Sequence, residues 1–178
     1  MQKNRLFLIP ILVVFATGCT TVSIATNKDP AFSGKISHIV VQYTAYVRAD
    51  SLGYDVGKTM QEMLTKKGVE TVISFRSAVD LEPEVAWRAR TESITEQFRL
   101  EIRWSKIPDR NFVEDGSFSR YGSEGALDIL LFEKDRSKPV WRAAVDVNTN
   151  VIDAISASVG IKLAKVLVRN LKADGLLN

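Results

Sequence analysis

Ile36-Ser37-His38-Ile39-Val40-Val41-Gln42-Tyr43 and Thr71-Val72-Ile73-Ser74-Phe75, with Leu52 to Val69 between them, form the stretch that decides the fold. The outer pieces are rich in β-branched and aromatic residues, which suit a pleated strand, and the first reads as buried over much of its length. Between them Leu52, Val56, Met60, Met63 and Leu64 recur at helical spacing and make one apolar stripe, with Asp50 or Ser51 in place to cap its start. Lys66 and Lys67 put positive charge in the last turn, where the helix dipole favours it. Gly68 follows at the C′ position, and Val69 can then pack back on Leu64 in a Schellman-type end. Strand, helix and strand within about 40 residues predict a βαβ unit with parallel pairing, since parallel neighbours need a crossover of that kind.

Outward toward the C-terminus, Asp80 to Gln97 is predicted to be helical. Pro83 suits the first turn, and Trp87, Thr91, Ile94 and Phe98 fall on one side. Phe98, Leu100, Ile102 and Trp104 then alternate with Arg99, Glu101, Arg103 and Ser105, the period of a strand with one buried and one wet face. The three charges on the wet face are expected to pair across strands. Pro108 to Gly125 is a long loop rich in Gly, Ser and Asp. Ala126 to Phe132 and Val140 to Val147 predict an antiparallel hairpin across residues 134–139. Trp141, Ala143, Val145 and Val147 fall on one side of its second strand, and Arg142, Asp146 and Asn148 on the other. Ile152 to Leu171 is an amphipathic helix with Ile155, Val159, Leu163, Val166 and Leu167 on one face and Lys162, Lys165, Arg169 and Lys172 on the other. The order β-α-β-(α)-β-β-β-α defines an α+β class: a single domain over residues 35–178, a mixed sheet of about five strands, and helices on one face.

Outward toward the N-terminus, residues 1–18 read as a cleaved signal peptide. Lys3 and Arg5 make a positive start, and Leu6 to Phe15 is an apolar run broken only by Pro10. Small residues, Ala16-Thr17-Gly18, then lead to Cys19. The run is about ten residues, half of the roughly 20 that a membrane-spanning helix needs. Ala16-Thr17-Gly18-Cys19 resembles the lipobox of bacterial lipoproteins, although Ala16 stands where Leu is usual. The resemblance implies that the Cys19 thiol is acylated and becomes the first residue of the mature chain. It also implies that three acyl chains fix the protein permanently to a membrane, because two chains already make a stable anchor. Thr20 and Thr21 follow, with no Asp beside the cysteine, and by the same resemblance this favours the outer membrane, facing the periplasm. Residues 19–34 read as a lipidated tether, spanning roughly 20 Å as a coil. Within it Val22-Ser23-Ile24 alternates, which also allows a short edge strand.

Composition narrows the function. The chain of 178 residues has 24 Lys and Arg against 21 Asp and Glu. Removing Lys3 and Arg5 with the signal leaves a net charge of +1, so a nucleic-acid partner loses its electrostatic basis. Cys19 is the lone cysteine and His38 the lone histidine, so neither a disulfide nor a zinc site is expected, and no cofactor. His38 reads as an edge or core residue. Without a Gly-x-Ser-x-Gly elbow it makes no hydrolase triad. Glu82 with Glu84, and Glu124 with Asp128, are the carboxylate pairs available for glycosidase chemistry, which needs two carboxyls about 5–10 Å apart. Acids in a first helical turn have a structural reason to be there, however. No catalytic set is therefore assigned. The loop 108–125 is the segment most suited to contact a partner. The stripe of Lys162, Lys165, Arg169 and Lys172 reads as a solvated helix face.

Three groups of residues together resemble an uncharacterised family of bacterial lipoproteins, known only as a domain of unknown function. They are Asp29-Pro30-Ala31-Phe32-Ser33-Gly34, Leu64-Thr65-Lys66-Lys67-Gly68-Val69, and Gly125-Ala126-Leu127-Asp128-Ile129 with Val140-Trp141-Arg142. The chain departs from that pattern at Ala143, where Gly is usual, and at Glu133-Lys134, where a strand-end Asp is usual. The element order is also similar to the βαβ-based domain in the amino-terminal part of the Tol-system propeller protein and to the curli secretion lipoprotein, a likeness of fold only. The expected function is a lipid-anchored envelope module that binds, as an accessory or scaffold, an envelope protein or peptidoglycan. The alternatives are a carrier of lipid or a small ligand, with a pocket between sheet and terminal helix, and a cell-wall hydrolase. Oligomeric state is left open.

Overall fold

The computed structural model describes residues 21–44, 50–77, 80–94, 97–106, 123–149 and 157–178; the signal, Cys19 and most of the loop 108–125 lie outside the described residues. In chain order the elements are β1 (Thr21–Lys28), β2 (His38–Thr44), α1 (Asp50–Thr65), β3 (Glu70–Arg76), α2 (Glu84–Glu92), β4 (Phe98–Lys106), β5 (Ser123–Glu133), β6 (Trp141–Thr149) and α3 (Ala157–Ala173). The strands form one mixed sheet in the order β1-β6-β5-β4-β2-β3. β2 runs parallel to both β3 and β4, and the remaining pairs are antiparallel.

The βαβ unit is present as its sequence predicts, except that α1 ends at Thr65, so Lys66 and Lys67 lie just past its last turn. α1 buries Leu52, Val56, Met60 and Leu64 completely. Its end is a Schellman motif: the Val69 N–H donates to Leu64 O at 3.0 Å and the Gly68 N–H to Thr65 O at 3.0 Å, with Gly68 at φ +76°. α3 ends in the same way at Gly175, where the Leu176 N–H donates to Leu171 O at 2.9 Å. Leu176 O in turn accepts from the Ile36 N–H at 2.9 Å, which ties the C-terminus to the entry of β2. Asp174 fixes the same corner by accepting the indole N–H of buried Trp141 at 2.6 Å.

One core lies between α1, α3 and a single face of the sheet. Alternate residues of the central strands supply it: Ile39, Val41 and Tyr43 from β2, Phe98, Leu100 and Ile102 from β4, Leu127, Ile129 and Leu131 from β5, and Trp141, Ala143 and Val145 from β6. α1 and α3 approach closely at Gly160, where a Cβ would meet the Asp55 Cβ at 2.7 Å.

Three differences from expectation bear on how the sheet and its two faces are built. The sheet has six strands, the sixth being β1, which pairs with β6 from Thr21 to Lys28; the alternation of Val22-Ser23-Ile24 was the visible sign of it. The helix expected over 80–97 is confined to Glu84–Glu92, with Pro83 as its N-cap, and Trp87 and Thr91 are its buried residues. Finally, the helices do not all share one face. Ser74, Gln42 and Val40 point away from the core face, and Thr91 Oγ1 of α2 lies 2.7 Å from Ser74 Oγ, so α2 packs on the opposite side. Strand order gives the reason. The chain steps outward from β2 to β3 and back past β2 to β4, and two crossovers of the same hand in opposite directions put their helices on opposite faces.

Candidate functional site: the uncovered sheet face

The face of the sheet away from α1 and α3 divides into two parts. Over β2 and β3 it is roofed by α2, and Gln42, Ser74, Trp87 and Thr91 are buried there. Over β6 and β1 it is bare: Ser23, Ala25, Asn27, Arg142, Ala144 and Asp146 are exposed. Between the two runs the charged row of β4. Arg99, Glu101 and Arg103 face Phe132, Leu130 and Asp128 of β5.

Glu101 is only 5% exposed, and a buried carboxylate is costly unless paired on more than one side. Arg99 meets that need with its Nε 2.9 Å from Glu101 Oε1, and Arg103 bonds the other carboxylate oxygen. Arg99 also reaches Glu92 of α2 at 3.3 Å. The charges therefore pair along the strand and to α2 rather than across strands as expected. The neighbours of Glu101 across β5 and β2 are Leu130 and Gln42, which offer no cation. Beyond the row, Arg142 of β6 pairs across strands with Asp128 of β5 at 2.8 Å. The surface is therefore polar and self-neutralised, suited to directional hydrogen bonding with a partner rather than to a long-range field.

A cavity of about 270 Å³ opens at the other end of this row, between α2 and the β5–β6 turn, lined among others by Val40, Thr91, Arg99, Phe132 and Arg136. Its volume falls just short of the roughly 300 Å³ at which ligand pockets begin. Two of its cations are engaged: the Arg99 guanidinium lies 5.1 Å from the Phe132 ring centroid, and Arg136 pairs with Glu133 at 2.7 Å. The carrier alternative placed its pocket elsewhere, between sheet and α3. There Val159, Leu163, Ala164, Leu167, Val168 and Leu171 are at most 2% exposed.

The carboxylates considered for hydrolysis are held in ion pairs. Glu84 accepts from Arg88 at 2.6 and 2.9 Å, and Glu82 from Arg90 at 2.8 and 3.3 Å. The hydrogen bonds from these arginines hold both carboxyls below their ordinary value, the opposite of what a general acid needs. Asp128 is taken up by Arg142, and the Glu124 side chain lies outside the described residues. His38 stands exposed at the start of β2, with Nδ1 3.0 Å from Ser37 Oγ and Nε2 3.4 Å from Glu70. Lys162, Lys165, Arg169 and Lys172 all lie on the exposed side of α3. Among the described residues no three His, Cys, Asp or Glu side chains gather as a metal site. Nor is any described helix long and apolar enough to cross a membrane. The alternation of β4 showed in the sequence that Arg99, Glu101 and Arg103 share a face. The burial of Glu101 did not show, because it depends on α2 and on Arg99 folding over it.

No protein-family model matches the chain, and no curated protein sequence matches it. Solved structures do. PelC from Paraburkholderia phytofirmans, described as a dodecamer in two crystal forms, is 15 and 16% identical with TM-scores of 0.50 and 0.52, covering 83% of this chain and 95 and 96% of that one. A minor lipoprotein from Acinetobacter baumannii is 12% identical, with a TM-score of 0.44 over 79% of this chain and 96% of that one. A protein from Xanthomonas campestris assigned to a family of unknown function is 10% identical, with a TM-score of 0.41 over 85% and 95%. The PelC likeness shows a shared α+β fold and no more.

Proposed function

We propose that the chain is a lipoprotein of the bacterial envelope: exported, cleaved before Cys19, held at the outer membrane by acyl chains, and facing the periplasm. It works by binding an envelope protein or peptidoglycan, as an accessory or scaffold, and not by catalysis. The observation that carries the binding role is the bare sheet face of β1 and β6 beside a free strand edge. It has small and polar side chains outward, with Arg142 paired to Asp128 and the Asp146 carboxylate exposed, so a partner that lies on it meets hydrogen-bonding groups and one acidic side chain. The anchor reading rests on the signal and Cys19, two residues before β1. The scaffold role gains support from the dodecamers described for PelC.

The test is photo-crosslinking in intact cells from Ala144 and Asp146 on the bare face, with Lys165 on the outer side of α3 as control. The proposal expects capture of a defined envelope protein, peptidoglycan fragment or second copy from the first two positions and at least severalfold less from the third. Equal capture from all three positions, or none, contradicts it.

A further inference from the structure

The two ends of the sheet differ in a way the binding role does not use. Register places Thr44, Arg76, Lys106, Ser123, Thr149 and Thr21 at one end, the end from which Cys19 is two residues away. Two residues reach no more than about 7 Å, so any group attached to Cys19 holds this end and not the other. Among the described residues, the large apolar side chains that stand exposed are Leu81 (98%), Val85 (79%), Tyr54 (53%) and Ile161 (39%). All four belong to that same end. Leu81 adjoins Glu82, whose carbonyl accepts from Arg76 at 3.2 Å, and Val85 follows it one turn on in the first turn of α2. Tyr54 is in the second turn of α1, beside Gly53, which packs on the Tyr43 ring. Ile161 is next to Gly160, against Leu52 and Asp55 in the opening turns of α1. The opposite end carries Lys66, Lys67, Lys134, Lys138 and Lys172, with no exposed large apolar side chain among the described residues.

Scattered exposed hydrophobes are ordinary on a protein surface. Here they straddle both faces of the sheet at one end, α2 on one side and α1 with α3 on the other, and the tether leaves from between them. We infer that this end is a membrane-contact surface: the domain stands end-on, with Leu81, Val85, Tyr54 and Ile161 resting in the headgroup layer of the phospholipid leaflet that holds the anchor. The inference rests on acylation at Cys19. Apolar and aromatic side chains favour the lipid–water boundary, and a short tether removes most of the entropy cost of bringing them there. β1 makes the tether short: residues counted as a leash are a strand, so the domain has little freedom to swing away. The bare face of β1 and β6 is then perpendicular to the bilayer and open to a periplasmic partner.

The test uses the acylated protein reconstituted in phosphatidylethanolamine–phosphatidylglycerol vesicles. Acylation consumes the native thiol, so Leu81→Cys, Ile161→Cys, Lys67→Cys and Lys138→Cys each carry one reactive thiol for an environment-sensitive fluorophore. A nitroxide quencher borne on lipid should quench the probes at 81 and 161 at least twofold more than those at 67 and 138. Equal quenching at both ends, on protein whose N-terminal mass shows the acyl chains, overturns the end-on inference and leaves the anchor intact. Probes at 81 and 161 shielded from both lipid-borne and aqueous quenchers would mean that a protein covers this end, which also overturns it. An N-terminal mass without acyl chains overturns the anchor and the inference together.

Discussion

Gly53 and Gly68 sit near the two ends of α1 for different physical reasons. At Gly68 the space is open and the backbone is the constraint: φ is +76°, a region a side chain enters at a cost of about 1 kcal/mol. At Gly53 a Cβ would fall inside the Tyr43 ring, 1.8 Å from Cδ1, so any side chain must push the ring or the helix aside. Tyr43 is stacked on Phe75 at 6.0 Å and accepts the Trp104 indole N–H at 3.0 Å, so it has little room to yield. Gly68→Ala is therefore expected to cost about 1 kcal/mol and Gly53→Ala about 2 kcal/mol or more, as overpacking of a filled core does. Urea unfolding of the non-acylated Cys19→Ala chain checks both, as shifts in midpoint at an unchanged slope. The two glycines also mark what a sequence can show. Gly68 was legible because its role depends on residues three and four places away. The role of Gly53 depends on Tyr43, on a strand whose distance from it in space the sequence does not state.

Among the elements, α2 depends most on charge. It buries only Trp87 and Thr91, and its outer surface carries the pairs Glu84–Arg88 and Glu82–Arg90. Hydrogen bonds from the arginines hold both carboxyls below the ordinary glutamate value. A carboxyl depressed in the folded state stabilises that state fully above its unfolded value, and the contribution is lost as pH falls through the lower folded value. Acidification below about pH 4.5 should thus loosen α2 before α1 or α3, whose buried apolar stripes carry no such dependence. Hydrogen exchange measured between pH 6 and pH 3, corrected for intrinsic rates, should show α2 amides losing protection first. With Glu82→Gln and Glu84→Gln together, α2 should already be looser at pH 6 and change less on acidification. Equal loss across all three helices would contradict the account. The existence of α2 was legible from Pro83 and Trp87. Its length and its side of the sheet were not, because the first rests on a thin apolar face and the second on strand order. β4 and the facing of the β5–β6 hairpin, by contrast, were legible, since a period-2 pattern sets which residues face the core; β5 nonetheless starts at Ser123, inside the stretch read as loop, and β6 runs on to Thr149.

For the molecule as a whole, the fold separates two jobs in space. α1, α3 and one sheet face make the core, while the other face is left partly bare, and the proposed binding role uses that bare part. The candidate binding surface was only half visible in the sequence. The charged row of β4 could be read from its alternation, but the bare surface exists because β1 extends the sheet past β6 while α2 covers the opposite edge. The central claim is that Cys19 carries the anchor on which this arrangement rests. Its most direct test is the mass of the N-terminal peptide of protein taken from the membrane fraction, alongside fractionation of Cys19→Ala. The account predicts Cys19 as the first residue bearing acyl chains. It also predicts that Cys19→Ala is released from the membrane with the same circular dichroism spectrum and urea midpoint as the acylated chain's folded domain. An unmodified Cys19, or a Cys19→Ala chain that still sediments with the membrane, would contradict it.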